Sequence, residues 1–248
     1  MSPTVYLISG ANRGIGLSLV EQLAARPDVI VFAGARDPTK ALALQALKSK
    51  FPERVYLVKL TSANKQDNEE AVAKVSEIAG RLDVVIANAG ISNAFYSSLD
   101  TPLDAMQEHF VVNVLGPLAL FQAAYPLLKT STSSPKFFPV SSLLGSIQVG
   151  TVPPIKATAY GTSKAAVNWL AARLYYEYPD LISLPIHPGT VDTDMAANAI
   201  SHMPELIEKF SMITTEESAA GILKVVDAAK RDESGPKMTS YDGSALPW

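Results

Sequence analysis

The chain has 248 residues, 48% of them hydrophobic, which suffices for one substantial core. Its 21 basic and 24 acidic residues nearly balance and form no long run of one sign, which argues against a nucleic-acid-binding surface. The absence of cysteine excludes disulfides and thiolate metal sites.

Taken in chain order, the first expected element is a strand at 4–9, a short apolar run rich in β-branched residues. The chain enters it within a few residues of Met1, so no signal or transit peptide is expected and a cytoplasmic location is the default. A glycine turn, SGANRGIG (9–16), leads into a helix at 15–25. Further strands are expected at 29–34, 54–60, 83–87, 136–141, 181–187 and 236–240, and further helices at 39–50, 64–81, 103–129, 157–178 and 215–230. Strict alternation implies an α/β fold: a Rossmann-type, doubly wound, seven-stranded parallel sheet with helices on both faces, in one domain spanning 1–248. Residues 110–128 carry no charge and are long enough to span a bilayer. Asn113, Gly116, Pro117, Gln122 and Pro126 interrupt them, so a buried or interface helix is expected instead.

Strand, glycine turn and helix form the context of a dinucleotide-binding motif. Gly10 allows the tight turn, Gly14 lets the backbone approach a pyrophosphate, and Gly16 lets the helix pack close to the strand. The helix N-terminus then offers free N–H groups and a positive dipole to the phosphates.

Tyr160 and Lys164, in AYGTSK (159–164), stand four apart and therefore on one helix face. A phenol and an ammonium so placed suit acid–base chemistry, and the lysine charge is expected to draw the tyrosine pKa down. By itself such a pair is also what a solvated helix surface carries.

Taken together the chain resembles the short-chain dehydrogenase/reductase family over essentially its whole length. SGANRGIG (9–16), ANAG (87–90), Asn113 in FVVNVLG, VSSLLG (140–145), AYGTSK and HPGTVDTDM (187–195) are similar to that family's motifs, in the family's order. Ser9 and Ala87 stand where the family has Thr and Asn. Within the family, the serine segment, AYGTSK and the ending DGSALPW (242–248) look most like norsolorinic acid ketoreductases and the small carbonyl reductases called sniffer. The resemblance implies Asn113, Ser142, Tyr160 and Lys164 as catalytic residues. Ser142 would hydrogen-bond the carbonyl oxygen and Tyr160 would give the proton. Lys164 would hold the nicotinamide ribose, and Asn113 would anchor a relay water. It implies cofactor contacts from Gly10, Asn12, Arg13, Gly14, Ile15, Gly16, Arg36, Leu60, Asn88, Ala89, Gly90, Tyr160, Lys164, Pro188, Gly189, Val191 and Thr193. It also implies a homodimer or tetramer through helices 103–129 and 157–178. The second of these carries Val167, Trp169, Leu170, Leu174, Tyr175 and Tyr176 around much of its circumference.

Arg13 and Arg36 face one corner of the expected nucleotide site, where two guanidiniums suit a 2′-phosphate, so NADP(H) is the expected cofactor. Asp37, next to Arg36, runs against this reading. Lys59 and Leu60 replace the family's aspartate near the adenine. No metal site is expected: His109, His187 and His202 are scattered without ligand spacing. Asp192 and Asp194 are expected to cap the helix that follows Thr193.

By the resemblance, Phe95, Tyr96, Leu143, Leu144, Val149, Ile155, Met195, Met203 and Ile207 outline a substrate pocket suited to a bulky hydrophobic or aromatic, polyketide-like ketone. The loop 145–159 is stiffened by Pro153 and Pro154, and the segment 193–213 reads as a mobile lid. Two readings stay open: an NADPH-dependent carbonyl reductase, and a catalytically silent NADP(H)-sensing regulator on the same fold.

Overall fold

In the computed structural model, which describes residues 2–152, 154–204 and 211–248, six parallel strands form one central sheet in the order β3-β2-β1-β4-β5-β6. These are β1 (Thr4–Ile8), β2 (Val29–Ala35), β3 (Val55–Lys59), β4 (Val84–Ala87), β5 (Lys136–Pro139) and β6 (Ile182–Ser183). Both faces are buried, so the strands read as continuous apolar runs whose side chains alternate between two cores. Tyr6 and Ile8 of β1 pack with Leu19 and Leu23 of α1 (Gly14–Ala24) and Ile222 and Val226 of α8 (Thr215–Ala228). Val5 and Leu7 pack on the other face with Val72 and Val75 of α3 (Lys65–Ala79) and Leu120 and Leu128 of α5 (Gly116–Ser131). Leu174 of α6 (Thr158–Glu177) joins them there. Helix α2 (Leu42–Lys50) adds Leu44 to the first core.

The expected seventh strand is present but joins differently. Pro185 has no N–H to give, and the strand expected at 181–187 splits around it into β6 and β7 (Ile186–His187). Strand β8 (Met238–Ser240) pairs parallel with β7 and antiparallel with β9 (Ala245–Leu246), forming a separate three-stranded ladder. The two sheets stay in touch, because Ser141 N–H donates to the Ile186 carbonyl at 2.7 Å.

The helix expected at 103–129 runs as α4 (Leu103–Phe110), a π-helical turn (Val111–Leu115) and α5. Its 29 residues are apolar and long enough to cross a membrane by composition. Its inner face instead packs against the sheet, with Leu120, Phe121, Ala124 and Leu128 buried. Half of the outward face expected on α6 is also core: Val167, Leu174 and Tyr175 are buried, while Trp169 and Tyr176 are 68% and 64% exposed.

Candidate active site

The glycine turn follows β1 and opens α1 at Gly14. A Cβ on Gly16 would stand 2.2 Å from the Gly10 carbonyl oxygen and 2.7 Å from Asn88 Nδ2, so only glycine permits this approach of helix to strand. Gly10 has φ +64°, and a Cβ there would meet Ala89 Cα at 2.8 Å. Arg13 precedes α1 without a side-chain cap, so the first N–H groups of α1 gain no partner from it. A bare helix N-terminus behind a side-chain-free turn fits a pyrophosphate. Asn88 does not reach out toward that space. Its Nδ2 donates to the Ser9 and Gly10 carbonyls, both at 3.1 Å, and so braces the turn from behind. Ala89 N–H likewise donates to Ser9 Oγ at 3.0 Å.

Ser142, Tyr160 and Lys164 come together at the ends of β5 and α6. Ser142 caps a short 3₁₀ turn (Leu143–Gly145): its Oγ accepts from Leu144 N–H at 3.2 Å. With that lone pair engaged, its hydroxyl proton is free to point into the cavity that Tyr160 also lines. The neighbouring Ser141 is no rival, since its Oγ donates to Asn168 Oδ1 at 2.5 Å inside the core. Lys164 is 4% exposed and donates to the Val140 carbonyl at 2.7 Å. Its Nζ stands 5.7 Å from the Tyr160 ring centroid.

The titration of this pair differs from the sequence expectation. Burial pushes the Tyr160 phenol above its ordinary value, and the neighbouring Ser142 hydroxyl only partly opposes this. Burial also pulls Lys164 down to about 8, so the lysine carries its full charge only below that pH. Desolvation drives both groups toward neutrality and outweighs the attraction expected from their spacing. Neutral Tyr160 is a proton donor.

Asn113 lies in the π-helical turn, a feature often found at functional sites. Its Oδ1 accepts from Ile91 N–H at 2.8 Å, and its Nδ2 donates to the Ile91 carbonyl and to Ser163 Oγ, both at 2.9 Å. The side chain is therefore committed to tying the loop after β4 to α6, a role its expected water-anchoring did not include. Gly90 in that loop lies close to both groups: a Cβ there would stand 3.2 Å from Asn113 Oδ1, a tight contact, and 3.5 Å from Lys164 Nζ.

At the nucleotide corner Arg36 is exposed and makes no ion pair among the described residues. Asp37 turns away into its own turn, pairing with Lys40 at 3.3 Å and accepting Thr39 N–H at 3.1 Å. Arg13 is exposed but engaged: Nη1 meets Asp194 Oδ2 at 2.6 Å. Asn12 is exposed beside it. Lys59 pairs with Asp67 of α3 at 3.0 Å, and Leu60 is buried against Gly34. Thr193 itself caps α7 (Asp194–His202), accepting Ala196 N–H at 3.2 Å. The expectation that the flanking aspartates cap this helix is thus corrected: Asp194 is its first residue and spends its carboxylate on Arg13.

A cavity of ≈ 220 Å³ opens beside Ser142 and Tyr160. Phe95, Leu143, Leu144, Val149, Ile155, Met195 and Met203 line it as expected, and Ile15, Pro188, Gly189, Val191 and Thr193 face it from the nucleotide side. Tyr96 does not line it and is 45% exposed. Ile207 lies outside the described residues, as does part of the expected lid. The sequence reading missed Ile200 and Met212 of the lining, and also His187, whose Nδ1 accepts from Leu143 N–H at 3.2 Å. No spacing rule signals His187, since its partner is 44 positions away.

A parallel α/β sheet with a bare helix N-terminus, a serine–tyrosine–lysine group and an apolar cavity at one sheet edge defines a nucleotide-dependent oxidoreductase architecture. The short chain dehydrogenase family pattern matches residues 4–204, and the chain belongs to that family. It is 36% identical to norsolorinic acid ketoreductase of Aspergillus parasiticus, with 99% of this chain and 91% of that protein covered. Its fold superimposes on the NADPH-bound carbonyl reductase from chicken fatty liver with TM-score 0.87, at 30% identity and 100% coverage of both chains. Carbonyl reductase Sniffer of D. melanogaster follows at TM-score 0.84 and 25% identity, again with 100% of both chains covered.

Proposed function

We propose that this oxidoreductase reduces a bulky apolar or aromatic ketone with NADPH. The observation that carries the reading is the convergence of Ser142 and Tyr160 on one wall of an apolar cavity that adjoins the glycine turn, with buried Lys164 close to the Tyr160 ring. The likeness to a norsolorinic acid ketoreductase and to carbonyl reductases supports a ketone as substrate.

A bound nicotinamide dinucleotide supplies the reducing hydride. The N-terminus of α1 would hold its pyrophosphate, and Arg13 with Arg36 would take the 2′-phosphate. Lys164 would hold the nicotinamide ribose. Apolar side chains exclude water and orient the ketone. Ser142 donates a hydrogen bond to the carbonyl oxygen, and Tyr160, held protonated by burial, gives its proton to the same oxygen as charge develops there. Helix α7 serves as the described part of a lid, consistent with its having no buried residue. Leu103, Phe110, Trp169 and Tyr176 leave apolar area outward on α4 and α6, and we assign that face to a homodimer contact.

The test is a panel of quinones, aromatic diketones, steroids and polyketide ketones assayed with NADPH and with NADH. Turnover of at least one ketone with NADPH is expected. Saturable NADPH binding without turnover anywhere in the panel would instead identify a sensor.

A further inference from the structure

Around Ser142 the backbone is held at more points than a catalytic hydroxyl alone needs. Leu144 N–H is taken by Ser142 Oγ at 3.2 Å, and Leu143 N–H by His187 Nδ1 at the same distance. His187 is itself anchored on both sides. The Ile186 carbonyl before it accepts from Ser141 N–H at 2.7 Å, and its own carbonyl accepts from Tyr241 N–H at 2.8 Å. The imidazole therefore sits at a fixed register against the serine turn and lines the same cavity.

We infer that His187 is a positioning residue that fixes the Ser142 turn by accepting the Leu143 N–H, and so aims the Ser142 hydroxyl at the carbonyl oxygen. This rests on the proposed carbonyl reductase reading. An accepting Nδ1 requires a ring whose proton resides on Nε2. Burial supports that state by lowering the imidazole to about 4, against a weaker opposing pull from Asp242 in the turn after β8. The geometry is sensitive, because a misplacement of about 1 Å at a reacting group can cost ~10²-fold in rate.

Two variants test the role. In His187→Asn the amide oxygen takes the place of Nδ1 as acceptor. In His187→Leu a side chain of comparable bulk offers none. The Leu variant is expected to lose at least about tenfold in kcat with NADPH affinity unchanged, and the Asn variant to stay within about threefold of the native enzyme. Hydrogen exchange at the Leu143 amide supplies a readout that needs no turnover: slow in the native chain and the Asn variant, fast in the Leu variant. Equal kcat in both variants, or a loss confined to NADPH affinity, overturns the inference. Unchanged Leu143 protection in the Leu variant does so as well. A native chain that turns over no ketone yet shows the protection pattern would sink the carbonyl reductase reading, and with it the aiming role, while leaving the Leu143–His187 brace in place.

Discussion

Arg13 and Asp194 stand 181 positions apart and form an ion pair at 2.6 Å that ties the glycine turn to the first residue of α7. Their side chains are 67% and 74% exposed, so the pair is worth at most about 1 kcal/mol. A 2′-phosphate carries more charge and accepts a guanidinium fork, so it should draw Arg13 away from Asp194. Asp194→Asn removes the competitor. NADPH affinity is expected to tighten by up to about fivefold while NADH affinity hardly moves. Calorimetry with both cofactors reads the difference, and an equal shift for the two would show that Arg13 does not read the phosphate.

Arg36 gives the second cofactor prediction. It is exposed and unpaired among the described residues, with Asp37 diverted to Lys40 and Thr39. A charge-assisted hydrogen bond is worth about 1.5–3 kcal/mol. NADPH should therefore be preferred over NADH at least ten- to hundredfold in kcat/KM, and Arg36→Asp should narrow or reverse the ratio. A native chain with equal kcat/KM for the two cofactors refutes the assignment.

Tyr160→Phe should fold, bind NADPH and lose turnover by ~10²–10⁴-fold, the usual worth of a positioned proton donor. The neighbouring Ser142 keeps the Leu144 N–H bond, so only a small stability change is expected. Near-native rates in this variant would remove Tyr160 from the mechanism.

The burial of Lys164 sets a pH dependence with a definite sign. Its folded pKa of about 8 lies below the ordinary 10.5, so burial favours the neutral amine. Below pH 8 both states are protonated and the cost of burying the charge is present in full. Between about 8 and 10.5 the unfolded chain binds the proton that the folded chain has released, and this contribution to stability rises with pH by up to about 1.4 kcal/mol per unit. Comparing denaturant melts of the native chain and Lys164→Met across that window isolates it. The native chain should gain relative to the variant as pH rises, and a flat difference would mean the amine is not desolvated.

Assembly through the outer face of α4 and α6 predicts a mass of at least twice 26.5 kDa in light scattering. Trp169→Glu, at a 68% exposed position, should return the chain to the monomer without unfolding it. A native mass near 26.5 kDa at micromolar concentration eliminates the dimer.

What the sequence determined by itself is what short-range geometry encodes. The alternation of strand and helix, the glycine spacing at 10, 14 and 16, and the four-residue step from Tyr160 to Lys164 follow from backbone period and from the exclusion of a Cβ. The tertiary structure decided what depends on distant partners. Pro185 ended one ladder, but only the packing of β8 beside β7 decided where the last strand joined. The π-helical turn at Asn113 has no signature in its apolar run, since its side-chain partners, Ile91 and Ser163, come from other parts of the chain. Asn88 behind the glycine turn, Arg13 on Asp194 and His187 on Leu143 are likewise contacts across 44 to 181 positions. The direction of the Tyr160 and Lys164 shifts was set the same way. Spacing gives the attraction between the two groups, but desolvation is imposed by whatever the fold lays over them, and in this chain burial is the larger effect.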